Sequence, residues 1–477
     1  MPLLTTLGTG VFIGSSQALA VGGPASLLIS YLVLSLLTYC MTTTAAEVAS
    51  HLPVRDGTLV THCYRYASRH FGFATAYLRW YTLALFVPYE ITAAMVNLGF
   101  WEPGLKVAGR ISIGVVLITA ANFLPEKAFR RSEILFTGVK LFLMVGLLGF
   151  SIALFATGHH GARGFEYWSD PGAMNEQLTG GHLGRAFGVA QCLLYSAIAF
   201  VFVPEQVVYR AEQKDLPPRT SFLSMCRRDS MGIFALYMLS VLGMGVVCPS
   251  DDPLLTNNDV GAGYSPYIVA IRIAAIEVLP TIVTATILLS CLASGRAFLF
   301  LSSRTLHSLA EHGHAPLMFM KQNRYGVPYA AVLASGAFSF SHTWYLSWVS
   351  SSAVYVNFRR LAKAERAEKA ANGGTSAQPF GAYIGMVFSL LLPLANGLTV
   401  ASPDRFNIRN LIPTYIGIPV FLVLYYGHQV LSSGDPEART EEASLDRVSV
   451  RAGPSRAASH WFGQTRANAA DLADNRV

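Results

Sequence analysis

Charged side chains are scarce in this sequence. Only 13% of its 477 residues are Asp, Glu, Lys or Arg, against about 25% in ordinary soluble domains. Hydrophobic residues make up 52%, and the mean hydropathy is +0.41. A chain of this composition would expose too much apolar surface in water. The composition therefore argues against a soluble enzyme and a disordered chain, and it favours a protein whose solvent is lipid.

Paired cysteines are also lacking. The six cysteines include no CxxC pair, and most lie in or beside apolar runs. This pattern predicts neither a metal site nor a disulfide framework. The net charge of +7 fits cytoplasmic loops that face anionic lipid better than it fits a nucleic-acid groove. We therefore expect a lipid bilayer as a partner, and no nucleic acid.

Long apolar runs are what the sequence has in abundance. A bilayer core ~30 Å thick needs about 20 apolar residues in a helix. Twelve runs follow one another, ten of them of full length, and they predict an all-α polytopic membrane domain over residues 1–431. From Ser432 the chain is polar and mixed in charge, which predicts a disordered tail over 432–477. The runs are Leu3–Val21, Ala25–Ala46, Gly72–Trp101, Val107–Leu124, Ile134–Thr157, Phe187–Tyr209, Met231–Cys248, Thr281–Leu301, Tyr329–Phe340, Trp344–Phe358, Ala382–Val400 and Leu411–Val430.

Basic residues collect in every second loop. Fourteen Lys and Arg residues lie in the loops after the second, fourth, sixth and eighth spans, and four lie in the alternate loops. Basic loops stay on the cytoplasmic side. We therefore expect the N-terminus and the C-terminal tail in the cytoplasm and Pro249–Pro266 outside.

Two places are shorter than this pattern requires. Tyr329–Phe358 has 30 residues, whereas two spans and a turn need over about 40. Both of its flanks are basic, which requires an even number of crossings. The first span begins almost at Met1. We therefore expect shortened first, ninth and tenth helices, as in a truncated or incorrectly spliced gene model.

Glycine and hydroxyl residues interrupt the first span, which reads GTGVFIGSS from Gly8 to Ser16. In transporters built from inverted repeats, a helix broken at the midplane leaves backbone N–H groups free. Those groups and the positive end of the half-helix bind a substrate carboxylate. The alternative is helix packing, because Gly10 and Gly14 form a GxxxG pair.

Three of the charged residues inside the spans are candidate functional residues. Lys140 is nine residues from Arg131, roughly 13 Å along a helix, so it either exchanges a proton near mid-bilayer or snorkels to the cytoplasmic face. Glu90 is either a proton relay or a hydrogen-bonded structural carboxylate. Arg296 is eight residues, roughly 12 Å, from Arg304. It either binds an acidic substrate side chain or snorkels.

Several motifs follow one another in a fixed order along residues 5–430. They are Gly8–Ser16 with Gly22–Pro24, Glu47–Pro53, Phe71–Ala74, Pro88–Ala94, Ser303–Leu306, Leu309–Ala310, Gly313, Ala315–Pro316, Gly326–Tyr329, Gln378–Tyr383 and Tyr415–Pro419. The series resembles fungal amino-acid permeases, the yeast amino acid transporter family of the amino acid–polyamine–organocation superfamily. The stretch from Ser303 to Tyr329 is specific, whereas the glycine-rich opening alone is weak. The residues Leu301–Arg304 lean towards the dicarboxylic amino acid branch of the family.

The resemblance implies ten core helices in two inverted five-helix repeats, two further C-terminal helices, and broken first and sixth helices. It implies that Thr9 and Gly10 hold the substrate carboxylate through backbone amides, with helix breaks at Gly8 and Gly14. Carbonyls of the sixth span, at Phe202 and Val203, would hold the amino group.

This chain departs from the family in the sixth span, because Val203 stands where the family usually has glycine. Pro204 either breaks this span, since it lacks an N–H group, or only kinks it.

The resemblance also bears on coupling. The family carries a lysine at the position of Lys140, after an acidic residue that matches Glu133, and this lysine occupies the place of a sodium ion in sodium-coupled relatives. Arg296 is a departure, since the family often has asparagine there. It can reach an acidic substrate, because the eighth helix lines the site in this fold.

The working hypothesis is a proton-coupled amino-acid symporter that works by alternating access in the plasma membrane. Its partners are an amino acid and protons. We expect no enzyme activity, cofactor or metal. The alternative is a permease-like amino-acid sensor, or a truncated family member that does not transport.

Overall fold

The computed structural model describes residues 9–51, 62–63, 68–98, 101, 107–124, 126–157, 164–211, 219–256, 264–311, 313–337, 380–388, 391 and 417–432. Within these ranges the secondary structure is helical and no residue lies in a strand. A further helical stretch covers 380–388. The numbered helices are α1 (Thr9–Phe12), α2 (Gly14–His51), α3 (Arg69–Leu98), α4 (Val107–Asn122), α5 (Glu126–Thr157), α6 (Gly181–Ser196), α7 (Val203–Ala211), α8 (Arg219–Val247), α9 (Pro266–Ile273), α10 (Leu279–Glu311), α11 (Tyr329–Ala337) and α12 (Gly417–Ser432).

Gly23 separates the first two predicted spans. Its φ of 81° and ψ of 171° interrupt the helical conformation of α2, and glycine adopts such a positive φ at little cost. Pro24 follows without an N–H group, and the N–H of Ala25 donates to the carbonyl of Ala173 (2.9 Å) instead of to its own helix. Helix α2 therefore has two arms, one on each side of Gly23, and they correspond to the two predicted runs.

Four helical segments of the described chain are long and apolar enough to cross a membrane: Gly10–Ser50, Arg131–Thr157, Ser221–Val247 and Leu279–Glu311. The first contains both arms of α2. Helix α3 is 30 residues long and carries the buried charges Arg79 and Glu90, which lower its hydropathy. Two shorter apolar helices are Ile111–Asn122 and Ile418–Val430.

The outward faces of α4 and α5 are apolar. Val116 is 67% exposed and Phe142 is 82% exposed. A contiguous face of this kind is unstable in water. It is the surface expected of helices that contact lipid.

The interior is built on two helix assemblies that share one core. Helix α2 packs against α6, α7 and α8, and α3 packs against α10. Buried side chains of both assemblies belong to a single hydrophobic cluster.

Helix α12 docks on the first turns of α3. The His428 ring stacks on Phe73 with ring centroids 4.3 Å apart, and its Nδ1 lies 2.7 Å from Nδ1 of His70. Phe421 also contacts Phe71 edge to face, at 5.8 Å. These ring contacts hold α12, the last described helix, against α3.

Several expectations fall beyond the described residues. These include the predicted tenth span Trp344–Phe358, most of Ala382–Val400 and nearly all of the tail. Helix α11 occupies the first part of the predicted run Tyr329–Phe340. The loop that follows α8 is more structured than the sequence suggested, because it contains a 3₁₀ turn at Pro253–Thr256 and helix α9.

Candidate functional site

The first span is interrupted at Ile13, between α1 and α2. The hydroxyl of Ser15 donates to the carbonyl of Val11 (2.5 Å), and that of Ser16 donates to the carbonyl of Ile13 (2.6 Å). These bonds satisfy carbonyls beside the interruption. The resemblance implied helix breaks at Gly8 and Gly14, and the interruption at Ile13 lies directly before Gly14.

The residues named for this span are distributed around that interruption. Thr9 and Gly10 open α1, and Gly14 opens α2. Gly8 lies outside the described residues.

The sixth span is also interrupted, and over a longer stretch. Helix α6 ends at Ser196, a 3₁₀ turn covers Ala197–Ala199, and a turn precedes α7. The Tyr237 hydroxyl donates to the carbonyl of Ala199 (3.3 Å). The interruption thus lies before Pro204, the second residue of α7, where a missing N–H group breaks no helical bond. Pro204 therefore starts the second half-helix instead of breaking the first.

Val203 fits this arrangement without a glycine. Its N–H donates to the carbonyl of Phe200 (3.1 Å), and the carbonyl of Phe202 accepts from the N–H of Gln206 (3.1 Å). Both residues are buried.

The two interruptions lie directly against each other. A Cβ atom on Gly10 would come within 2.5 Å of Cα of Ala199. A Cβ on Gly22, at the end of the first arm of α2, would lie 2.7 Å from Cβ of Cys192. Gly10 and Gly22 therefore allow close packing between the first and sixth spans. A Cβ on Gly14, the other member of the GxxxG pair, would lie at an ordinary 3.8 Å from the carbonyl oxygen of Tyr195.

Aromatic rings fill the space beside the second interruption. Phe202 lies 4.2 Å from Phe298 of α10 and 4.8 Å from Phe86 of α3, measured between ring centroids. On the other side, Phe200 packs edge to face on Tyr31 (5.2 Å) and on Tyr237 (5.2 Å). The turn between α6 and α7 is thus lined by apolar rings from four helices.

Lys140 is buried in the helix assembly, with 2% of its surface exposed. Its ammonium donates a hydrogen bond to the hydroxyl of Ser294 on α10 (3.1 Å). This contact points into the protein, so the structure disagrees with snorkelling to the cytoplasmic face. Glu90 lies near the same place, because a Cβ on Gly295 would come 3.2 Å from Cβ of Glu90.

Arg296 is buried between α5 and α10. Its Nη2 donates to the hydroxyl of Ser132 (2.7 Å) and lies 3.7 Å from Oε2 of Glu133. The guanidinium also lies over the Phe136 ring, 5.8 Å from its centroid. Only 9% of its side chain is exposed, so the guanidinium is enclosed by protein, against the residues of α5 that follow Arg131.

A loop between α5 and α6 closes the opposite end of the first span. The N–H of Asn175 donates to the carbonyl of Gly22 (3.0 Å), and its side-chain amide donates to the carbonyl of Ala20 (2.8 Å). Gln177 donates to the carbonyl of Val21 (3.2 Å). These bonds satisfy carbonyls that the turn at Gly23 leaves without helical partners.

Sequence reasoning missed Ser294, Ser132, Phe298 and Asn175. A serine within an apolar run is a weak signal, because it can bond to its own helix. The partners of Ser294 and Arg296 become apparent only when α10 is packed against α5. All six cysteines are buried free thiols.

Comparison with known proteins gives consistent results. The amino acid permease family matches residues 1–343. A proline-specific permease of Emericella nidulans is 34% identical over 89% of this chain and 82% of its own length. A dicarboxylic amino acid permease of Saccharomyces cerevisiae is 30% identical over 93% of this chain and 78% of its own length.

A solved structure shares the fold at low sequence identity. It is a manganese transporter of Eremococcus coleocola, with a TM-score of 0.53 and 15% identity, and the match covers 93% of this chain and 94% of that one. It supports the helical architecture alone.

The helices and their lipid-facing surfaces define a polytopic integral membrane protein with a transporter fold. The chain belongs to the amino acid permease family, whose named members here are fungal transporters. It is therefore an amino acid permease and not an enzyme.

Proposed function

We propose that this permease carries its amino acid by alternating access and couples the movement to protons. The carrying observation is the close contact between Gly10 and Ala199, which brings the interruptions of two spans to one place. Interrupted helices present unpaired backbone groups to a substrate at the midplane. The plasma membrane is the proposed location, with both termini in the cytoplasm.

The substrate would lie beside the two interruptions. Thr9 and Gly10, at the start of α1, would offer N–H groups to the carboxylate. Phe202 and Val203 would offer carbonyl oxygens to the amino group. The Phe202 carbonyl already accepts one hydrogen bond from its own helix, and a carbonyl oxygen has a second lone pair.

The side chain of the substrate would be apolar, with proline the first candidate. Phe86, Phe202 and Phe298 form the wall beside the second interruption. The Arg296 guanidinium, the cation proposed for an acidic side chain, is engaged by Glu133. The name of the Emericella relative, a proline-specific permease, agrees with this choice.

Lys140 would be the proton-coupling residue. A serine hydroxyl accepts a hydrogen bond from an ammonium and donates one to a neutral amine, so Ser294 can bind Lys140 in both protonation states. Glu90 and Glu133 are the carboxylates whose charge acts on Lys140. A coupling group must exchange its proton inside the protein, and this arrangement leaves both states hydrogen-bonded.

Uptake by cells that lack their own permeases tests the proposal. Radiolabelled proline, glutamate and lysine are supplied at acid pH, with and without a protonophore, and surface expression is measured in parallel. We expect protonophore-sensitive accumulation of proline, and its loss in Lys140→Ala. Preferred uptake of glutamate would favour the dicarboxylic branch and Arg296 as a substrate ligand. No accumulation by protein that reaches the membrane would favour the sensor or the transport-defective form.

A further inference from the structure

Four charged side chains lie in the region where α3 and α5 both pack on α10. Glu90 comes from α3, Glu133 and Lys140 from α5, and Arg296 from α10. Glu90 and Lys140 are 3% and 2% exposed, and the Glu133 and Arg296 side chains are 16% and 9% exposed. Buried charges are costly unless they are paired. Two anions and two cations give a neutral group.

The two cations of this group have different partners, a carboxylate for Arg296 and a hydroxyl for Lys140. The Arg296 guanidinium contacts Ser132 and Glu133 on one face of α5. Lys140, two helical turns further along, bonds to the neutral hydroxyl of Ser294. Among the described residues, the Lys140 ammonium has no carboxylate oxygen within the 4.0 Å of an ion pair. The guanidinium therefore holds the carboxylate that shares a helix face with Lys140.

The charged and titratable groups that act on Lys140 come from every side of this site. They are Glu133 on its own helix, Glu90 on α3, and Cys291 on α10. Helix α8 also packs on α5, and none of the groups that act on Lys140 belongs to it. Both Lys140 and Arg296 act on Glu133, so the two cations share one carboxylate.

We propose that Arg296 is a positioning residue for proton exchange at Lys140, because it binds Glu133 and keeps that carboxylate from holding the lysine proton. This inference rests on the proposed coupling role of Lys140. In this proposal Arg296 neither binds the substrate nor lies at the membrane surface.

In this proposal Arg296 and Lys140 compete for the negative charge of Glu133. Without Arg296, the negative charge of Glu133 would be balanced mainly by Lys140, and a buried carboxylate favours the protonated lysine. Proton release from Lys140 would then require a higher pH. At an effective dielectric constant of about 20, a unit charge roughly 10 Å away changes a titration midpoint by about one pH unit. This is a roughly tenfold change in proton affinity.

The test uses the full-length purified protein, in which the melting temperature is measured from pH 5 to pH 10 in detergent. The variants are Arg296→Asn, Arg296→Lys, Glu133→Gln and the double variant Glu133→Gln/Arg296→Asn. Each is also made with Lys140→Met, which removes the group under study. Arg304→Asn is the matched control, because it removes the same charge from the same helix near Phe300.

We expect the pH midpoint that depends on Lys140 to move about one unit to the alkaline side in Arg296→Asn. The double variant should return towards the wild-type midpoint, and Arg304→Asn should leave it in place. The shift should vanish in the Lys140→Met background. Since this readout needs no transport, it remains interpretable if proton-driven uptake is absent, which would overturn the proposed function alone.

Uptake provides the second readout in proteoliposomes. The pH optimum of proline uptake should move in the same direction in Arg296→Asn, with a smaller change in Arg296→Lys. An unmoved midpoint in Arg296→Asn, or an equal shift in the double variant, would overturn the inference. So would a loss of affinity for glutamate at an unchanged pH optimum, since that result would make Arg296 a substrate ligand.

Discussion

Gly10 and Ala199 meet through their backbones, and a methyl group on Gly10 would lie 2.5 Å from Cα of Ala199. Real side chains do not approach a backbone atom so closely. The position therefore requires glycine because of its neighbour in the sixth span, and not because of its own dihedral angles.

Gly10→Ala should abolish uptake. The added methyl group would push the two interruptions apart, and overpacking of this kind costs about 1–3 kcal/mol. Gly146→Ala in α5 is the matched control, because a Cβ there meets nothing within 4 Å. Initial uptake rates and surface expression check the prediction. Normal transport by Gly10→Ala would contradict the proposed substrate position.

Ser294→Ala should impair coupling more than binding. The variant leaves the buried Lys140 ammonium without its hydroxyl partner, and an unsatisfied buried charge costs about 1–3 kcal/mol or more. We expect accumulation to fall at least severalfold while substrate exchange without a pH gradient persists. Ser302→Ala provides the comparison, because the Ser302 hydroxyl bonds within its own helix to Leu299 (3.2 Å). Equal effects of the two variants would argue against a coupling role.

Asn175→Ala should loosen the loop that closes the first span. The variant keeps the backbone bond to Gly22 but loses the amide bond to Ala20. Opening would expose Cys192, a fully buried thiol beneath Gly22. A membrane-impermeant maleimide applied to intact cells should label it severalfold faster than in the wild type. Cys192→Ser identifies the labelled site, and unchanged labelling would show that the amide is dispensable for closure.

Glu176 should make the same loop sensitive to acid. The N–H of Gly181 and the Arg185 guanidinium bind this carboxylate and hold the pKa of Glu176 below its usual value. A depressed pKa stabilises the fold above the unfolded-state pKa, and that contribution disappears as the pH falls through the folded-state value. Glu176→Gln should thus have a slightly lower melting temperature than the wild type at neutral pH. The two curves should converge in acid, and a difference that persists there would contradict the assignment.

The sequence located the interruption of the first span more closely than that of the sixth. In the first span the resemblance implied a break at Gly14, and the interruption at Ile13 lies directly before it. In the sixth span, Pro204 attracted attention, although the interruption at Ala197–Phe202 contains neither glycine nor proline. That turn depends on the Tyr237 hydroxyl, which comes from a helix packed beside it.

The charged residues show the same limit. Composition and depth were enough to single out Lys140, Glu90 and Arg296, because charges inside apolar runs are conspicuous. Their partners depend on the register of α5 against α10, which no local pattern encodes. The structure adds the buried contacts of Lys140 with Ser294 and of Arg296 with Glu133, which the sequence left open.

The docking of α12 on α3 has a consequence for biogenesis. His428 reaches back to Phe73 and His70 across more than three hundred residues of chain. The ribosome must therefore have made almost the whole membrane domain before this face of α3 is covered. Until then Phe73 has His314 as a ring neighbour, with centroids 5.5 Å apart, but lacks the stacked ring of His428. Termination before Gly417 would remove that stacked contact and leave the membrane domain without its last described packing partner on α3.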